Sequence, residues 1–427
     1  SLRDISLIGR VEAVKGLISL SLHAPLLKYG NVALERVDLS WNNVAERFTF
    51  DLNLPRIQIG KRSPLEPLQL SGDGYQDDLN FSLRTLGGDT SGYIRSLNLN
   101  GVLGVVDTLW QLRFKSSDLS LFNERWYIET DNYARFTSNY FETKNFEIGN
   151  EADQRIRLDS LNGGRGLALG LTNFDLRFLN KIIRSRDTAM YRGKIYDFEV
   201  YVQDIFKQRD LSVFITTDTL FVRNKPYGSL TGNLELRDLG GPFTGKVFLN
   251  DAQRQLRLSA AYLPEGAGAL DHPEFGTLKG GEFKSHVTAA NFPMDILEQF
   301  IPGISKTGGA LDADVTLSGP FDKVEMDGKA FIRDGQFQKD YLKSMFYIRN
   351  QPLRLSSTQI WADGDTIWDA TVNQNYAIVQ GGLRHTYFKN WTIDCRIESA
   401  GNNFMALKTH TGEIELFFGQ GIGKFKA

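Results

Sequence analysis

The sequence predicts a mostly β protein built from antiparallel strands. Side chains alternate apolar and polar with a period of two from one end to the other, which puts residues i, i+2 and i+4 on one face of a strand. Glycine-rich pairs separate the alternating runs, and only two segments carry helical spacing.

The first clear strands read Val37, Leu39, Trp41 and then Phe48, Phe50, Leu52, Leu54, with a turn expected to include Asn42-Asn43. The same alternation gives Trp110, Leu112, Phe114, then Phe198, Val200, Val202, then Leu211, Val213, Ile215, and Leu256, Leu258, Ala260. Later runs are Leu311, Ala313, Val315, Leu317, followed by Val324 and Met326, and finally Trp391, Ile393, Cys395, Ile397. Gly163-Gly164, Gly240-Gly241, Gly280-Gly281, Gly308-Gly309 and Gly381-Gly382 are expected to be turns, because glycine reaches positive φ without steric cost. Short strands joined by turns imply antiparallel pairing. The two helical segments are Leu176 to Ile183 and Pro293 to Ile301, the second stopped by Pro302-Gly303.

These helices sit in a repeated motif. NFDLRFLNKII from Asn173 leads to Gly193 and KIYDFEVYVQD, and NFPMDILEQFI from Asn291 leads to Gly309 and ALDADVTLSG. The asparagines are 118 positions apart and the glycines 116. A duplicated module is expected, though two copies fall short of a solenoid. The organisation expected is 1–170 as an extended β-rich segment, 171–290 as a repeat module, and 291–427 as a second module with the closing domain.

Forty-nine basic residues against 51 acidic ones give a net charge of −2, which offers no electrostatic reason for a nucleic-acid partner. No apolar run reaches the ~20 residues of a spanning helix, and the opening SLRDISLIGRVEAV does not read as a signal peptide. Any membrane anchor is therefore expected outside this chain.

Chemistry-bearing patterns are sparse. Cys395 is the only cysteine and the five histidines are scattered singly, so neither a disulfide nor a zinc cluster is expected. Gly419-Gln420-Gly421-Ile422-Gly423 lacks the helix and acidic residue of a dinucleotide fingerprint, and Gly240 to Lys246 is followed by Val247 where a phosphate loop needs a hydroxyl. The acidic pairs Asp312/Asp314 and Asp363/Asp365 are read as the outer polar face of amphipathic strands. No catalytic residue, metal or cofactor is expected.

Alternation does not say what covers the apolar faces. A second sheet would make a sandwich, and an open face would make a trough.

The segment 308–337, GGALDADVTLSGPFDKVEMDGKAFIRDGQF, resembles the signature of the TamB/AsmA-like envelope family: a glycine turn, an alternating strand, a short turn, another strand, then Asp334-Gly335 and Phe337. The stretch Tyr341 to Gly419, with NWTIDCRIES and NNFMALKTHTGEIELFFG, is similar to the domain near the C-terminal end of TamB proteins of the Bacteroidetes type. The likeness is specific over 285–427. It departs in that the family's pattern continues with further strands beyond FFG and begins with an anchoring helix.

The resemblance implies an elongated, curled antiparallel sheet, a β-taco-like trough with a few short amphipathic helices. Its apolar lining would be Val37, Leu39, Trp41, Phe48, Phe50, Leu52, Leu54, Phe198, Val200, Val202, Leu311, Ala313, Val315, Leu317, Val324, Met326, Trp391, Ile393 and Ile397. It implies phospholipid acyl chains as cargo, an outer-membrane barrel partner of the TamA/BamA type, and a periplasmic location with an inner-membrane anchor. Two other functions stay open at this point: a scaffold for barrel assembly or secretion, and a β-sandwich adhesin array.

Overall fold

A computed structural model describes the chain except residues 1, 13, 15, 60–61, 66, 88–93, 122–123, 178–190, 208, 223–224, 239, 300–302, 370–374, 410–418, 425 and 427. The described residues are nearly all strand, and they divide into two compact units. One holds 1–186 with 194–212, and the other 187–193 with 213–427.

In the first unit the strands follow one another as hairpins, each pairing antiparallel with its neighbours. Ser6–Glu12, Leu17–Tyr29, Val32–Val44, Arg47–Leu54, Leu68–Tyr75, Asp78–Thr85 and Ile94–Val106 form one such run. Two-residue turns close several hairpins. Asp107 and Thr108 both lie at positive φ, 49° and 70°, between the paired Val106 and Leu109. That is the turn geometry whose twist matches flanking strands. Asn42 and Asn43 are within a strand rather than in the expected turn, which falls at Ala45-Glu46 because Val44 pairs with Arg47.

In the second unit Lys225–Asp238, Phe243–Asn250, Gln255–Tyr262, Phe283–Pro293, Ile304–Gly319 and Glu325–Lys339 pair in succession. The sheet continues through Gln351–Ser356, Gln359–Asp369, Tyr376–Thr386 and Lys389–Ser399. A small hairpin, Ala269–His272 with Gly276–Lys279, packs on it through Leu278, Leu263 and Ala261.

Gly163-Gly164, Gly240-Gly241 and Gly280-Gly281 are turns or lie beside them, but Gly308-Gly309 and Gly381-Gly382 lie inside strands. There the glycine serves close approach: a Cβ on Gly381 would meet the Asp394 carbonyl and stand 2.7 Å from Cys395 Cα.

The first expected helix, Leu176 to Ile183, lies from 178 onward outside the described residues. The second is a 3-10 helix, Met294–Gln299, since Pro293 still ends a strand. Six residues, about two 3-10 turns, held between that strand and Ile304–Gly319 are too few to settle as an α-helix.

Candidate apolar β surface

Because antiparallel partners share a face, register turns each strand's alternation into rows running across the sheet. In the first unit one row is Leu7, Leu22, Leu39, Leu52, Leu70, Leu83 and Leu99, a leucine from each of seven successive strands. The row beside it is Gly9, Leu20, Trp41, Phe50, Gly72, Phe81, Gly101 and Phe114. No charged residue occurs in either row.

The opposite face is polar in the same register. Ser21, Ser40, Asp51, Ser71, Ser82 and Asn100 form one row, and His23, Asp38, Asn53, Gln69, Arg84, Asn98 and Asp118 another. Its side chains bond across strands: Arg84 Nε donates to Gln69 Oε1 at 2.8 Å and Asn98 Nδ2 to Asp118 Oδ1 at 3.2 Å.

The second unit repeats the design over ten strands. Gly232, Val247, Leu258, Val287, Val315, Gly328, Leu355, Ile360, Leu383 and Ile393 form one continuous row. Nine strand steps at about 4.8 Å make it roughly 43 Å long.

Exposure decides whether this face is a core or an open surface. In the first unit Leu22, Leu39, Leu52, Leu70, Leu83 and Leu99 are only half-buried, and Leu7 is exposed. In the second, Val247 and Leu258, the second and third members of the row, are 37% and 36% exposed. A covered sandwich core would bury them. Among the described residues part of the face is covered, as where Phe404 packs on Phe346 and Ala377. Asp369 is buried there, and its Oδ2 accepts from Met405 N–H at 2.6 Å.

The expected lining residues are placed as follows. Val37, Leu39, Trp41, Phe48, Phe50, Leu52 and Leu54 share one face. Val37 is buried and the others half-buried. Phe198, Val200 and Val202 pair with Leu171, Leu169 and Leu167 on one face of their strand. Leu311, Ala313, Val315 and Leu317 pair with Ile332, Ala330, Gly328 and the buried Met326. Val324 precedes its strand, which starts at Glu325. Ile393 and Ile397 pair with Leu383 and Val379, and Trp391 is 47% exposed, its ring tilted against His385 at 4.6 Å between centroids.

Asp365 departs from the outer-face reading. Gly364, at φ 78°, is the extra residue of a bulge between Asp363 and Asp365, so Asp365 registers opposite Val379 on the apolar side. Its Oδ2 is buried without a hydrogen-bond partner, and burial, reinforced by Asp363, pushes its carboxyl pKa up. Burial also pushes up the Cys395 thiol, which registers with Gly381 on the same side. His385 is buried with its pKa lowered by desolvation, and its Nδ1 accepts from Phe388 N–H at 3.1 Å. Asp312 and Asp314 do face outward, toward Arg333 and His286.

The glycine-rich segments form strand rather than phosphate-binding loops: Gly419–Gly423 pairs with Phe404–Thr409, and Lys246 is inside Phe243–Asn250. No group of three or more His, Cys, Asp or Glu that could hold a metal occurs among the described residues, and no helix among them is long and apolar enough to cross a membrane.

Leu70, Phe81, Leu83, Val247 and Val287 join the rows without having been expected from sequence to line the face. Leu79, Phe81 and Leu83 alternate as clearly as the runs that were. Comparison with protein families, with curated proteins and with solved structures finds no match for this chain.

Proposed function

We propose that this chain is part of a lipid-transfer conduit, holding phospholipid acyl chains on an open apolar β face as they move between the inner and outer membranes. The observation that carries this reading is the ten-strand row from Gly232 to Ile393, uninterrupted by charge and exposed at Val247 and Leu258. Each methylene moved from water to such a lining gains about 0.8 kcal/mol. Near-equivalent rungs let a chain advance without a deep trap. The likeness of 285–427 to the TamB/AsmA-like family supports the same reading, with a periplasmic location, an inner-membrane anchor and a barrel partner of the TamA/BamA type.

Photo-crosslinking amino acids at Phe50 and Val315 on the apolar face, and at Ser40 and Lys329 on the polar face, test it in cells. Phospholipid should be captured at the first pair and not at the second. Absence of lipid at both apolar positions sinks the proposal.

A second reading, a scaffold that assists barrel assembly by strand addition, draws on Lys389–Ser399. Beyond its pairing with Tyr376–Thr386, its one further bridge among the described residues is Glu398 with Lys426. Crosslinks from Thr392 or Asp394 to a barrel protein, with lipid balance undisturbed by charges on the apolar face, would favour it.

A further inference from the structure

The duplicated motif is larger in three dimensions than in sequence. In the first copy, Phe146–Asn150 and Arg155–Leu161 form a hairpin flanked by Glu124–Ile128 on one side and Gly166–Asp175 on the other. In the second, Phe243–Asn250 and Gln255–Tyr262 form the hairpin, flanked by Lys225–Asp238 and Phe283–Pro293. The same details then recur. A side-chain oxygen caps each hairpin turn: Asn150 Oδ1 accepts from the Ala152 and Gln154 amides, and Asp251 Oδ1 from the Gln253 and Arg254 amides.

The returning strand of each copy carries an asparagine in the left-handed region, Asn173 at φ 62° and Asn291 at φ 51°. Each donates its Nδ2 to a carbonyl in the turn, Asp153 at 3.2 Å and Gln253 at 3.3 Å. The following phenylalanine is buried in both, registered opposite Ile195 in one case and Leu311 in the other.

That phenylalanine meets an aromatic ring on the far flanking strand. Phe174 stacks on Trp126 at 5.5 Å between centroids, and Phe292 lies 5.8 Å from Tyr227. The strands carrying each pair are three steps apart, about 14 Å in a flat sheet. The rings therefore close over the end of the hairpin and curl the sheet toward its apolar side. Burial follows the closure. Tyr227, Leu249 and Phe292 are buried, whereas Val247, two residues along the same strand and on the same face as Leu249, is 37% exposed.

We propose that Trp126 with Phe174, and Tyr227 with Phe292, are equivalent rim seals, aromatic clips that each close an edge of the apolar face within their own unit and stop a bound chain slipping out sideways. The proposal rests on the lipid-carrying reading above. It gives the repeat a physical purpose: one clip per module, each anchored by an asparagine on the turn it spans.

The test is stopped-flow release of a fluorescent C16 fatty acid from the whole chain to excess phosphatidylcholine vesicles. Phe174→Ala with Phe292→Ala should speed release at least fivefold with the amount bound at saturation unchanged. Phe174→Leu with Phe292→Leu, which keep apolar volume and lose the ring stack, should give about a twofold increase and cover the case in which the alanine pair fails to fold. Tyr227→Phe keeps the ring and loses the 2.7 Å hydrogen bond to Asp295, and should release at the unaltered rate. Binding by the unaltered chain with unchanged release from the folded phenylalanine variants overturns the seals alone. No binding by the unaltered chain overturns the lipid-carrying reading and the seals with it.

Discussion

The ring of Phe50 packs against Gly72 of the neighbouring strand, its Cε1 2.7 Å from where a Cβ on Gly72 would stand. Phe81 stands in the same relation to Gly101, with Cζ at 2.6 Å from that position. Each glycine leaves the space that its cross-strand aromatic fills, which fixes the pairing of the two strands.

Gly72→Val should therefore lower stability by about 1–3 kcal/mol, since the new side chain meets the Asn80 carbonyl as well as the ring and backbone cannot give. Gly9→Ala, whose nearest neighbour would be Leu20 Cδ1 at 3.9 Å, should be close to neutral. Urea midpoints compare the two.

Val247 and Leu249 share a strand and a face but not an environment, at 37% and 6% exposure. Val247→Asp should cost less than about 1 kcal/mol and reduce capture of an acyl probe. Leu249→Asp buries a carboxylate among Val222, Tyr227 and Phe292 and should cost several kcal/mol or prevent folding. Equal costs at both sites would mean that the face is covered.

His286 ties the hairpin Ala269–His272/Gly276–Lys279 to the sheet. Its Nε2 is 2.9 Å from Asp314 Oδ1 and its Nδ1 3.5 Å from Glu274, with Lys284 nearby on the same strand. The hydrogen bond to Asp314 holds its pKa above the ordinary 6.5. A raised histidine pKa contributes stability that is fully present below 6.5 and is lost as pH rises through the folded value. Amide exchange in Gly276–Lys279 should accelerate across that rise, and His286→Gln should flatten the profile.

Asp365 has the opposite character. Its carboxyl pKa is raised by burial above 3.8, so the charged form is penalised in the native state. The penalty is absent below 3.8, grows with pH and is complete above the folded value. Asp365→Asn should then stabilise the chain on the order of 1 kcal/mol at neutral pH and hardly at all in acid, read from denaturation midpoints at the two pH values.

Much of this surface was legible because alternation is local: Val37, Leu39 and Trp41 on one strand, and Phe48 to Leu54 on the next, each needed only the two-residue period to share a face of their own strand. What was not legible depends on register. Nothing local to Gly72 says that it faces Phe50 and Phe81, and Gly381-Gly382 looks like a turn until the strands beside it are known. Asp365 reads as outward by counting, and only the extra residue at Gly364 turns it over. The asparagine–phenylalanine repeat was visible as a motif, but its aromatic partners Trp126 and Tyr227 lie far upstream in unlike contexts.

The two copies of the module differ where chain has been added between their hairpin turns and their asparagines. From Asn150 to Asn173 is 23 positions, from Asp251 to Asn291 is 40, and the second interval holds the hairpin at Ala269–Lys279. The added piece leaves the strands on either side still paired from Gln255 with Ala290 to Tyr262 with Phe283. A sheet assembled from nearest-neighbour rungs can thus take on ornaments along its wet side, or gain and lose whole hairpins, while the oily rows remain in line. Evolution could retune the reach and the outer docking features of such a protein independently of what it carries.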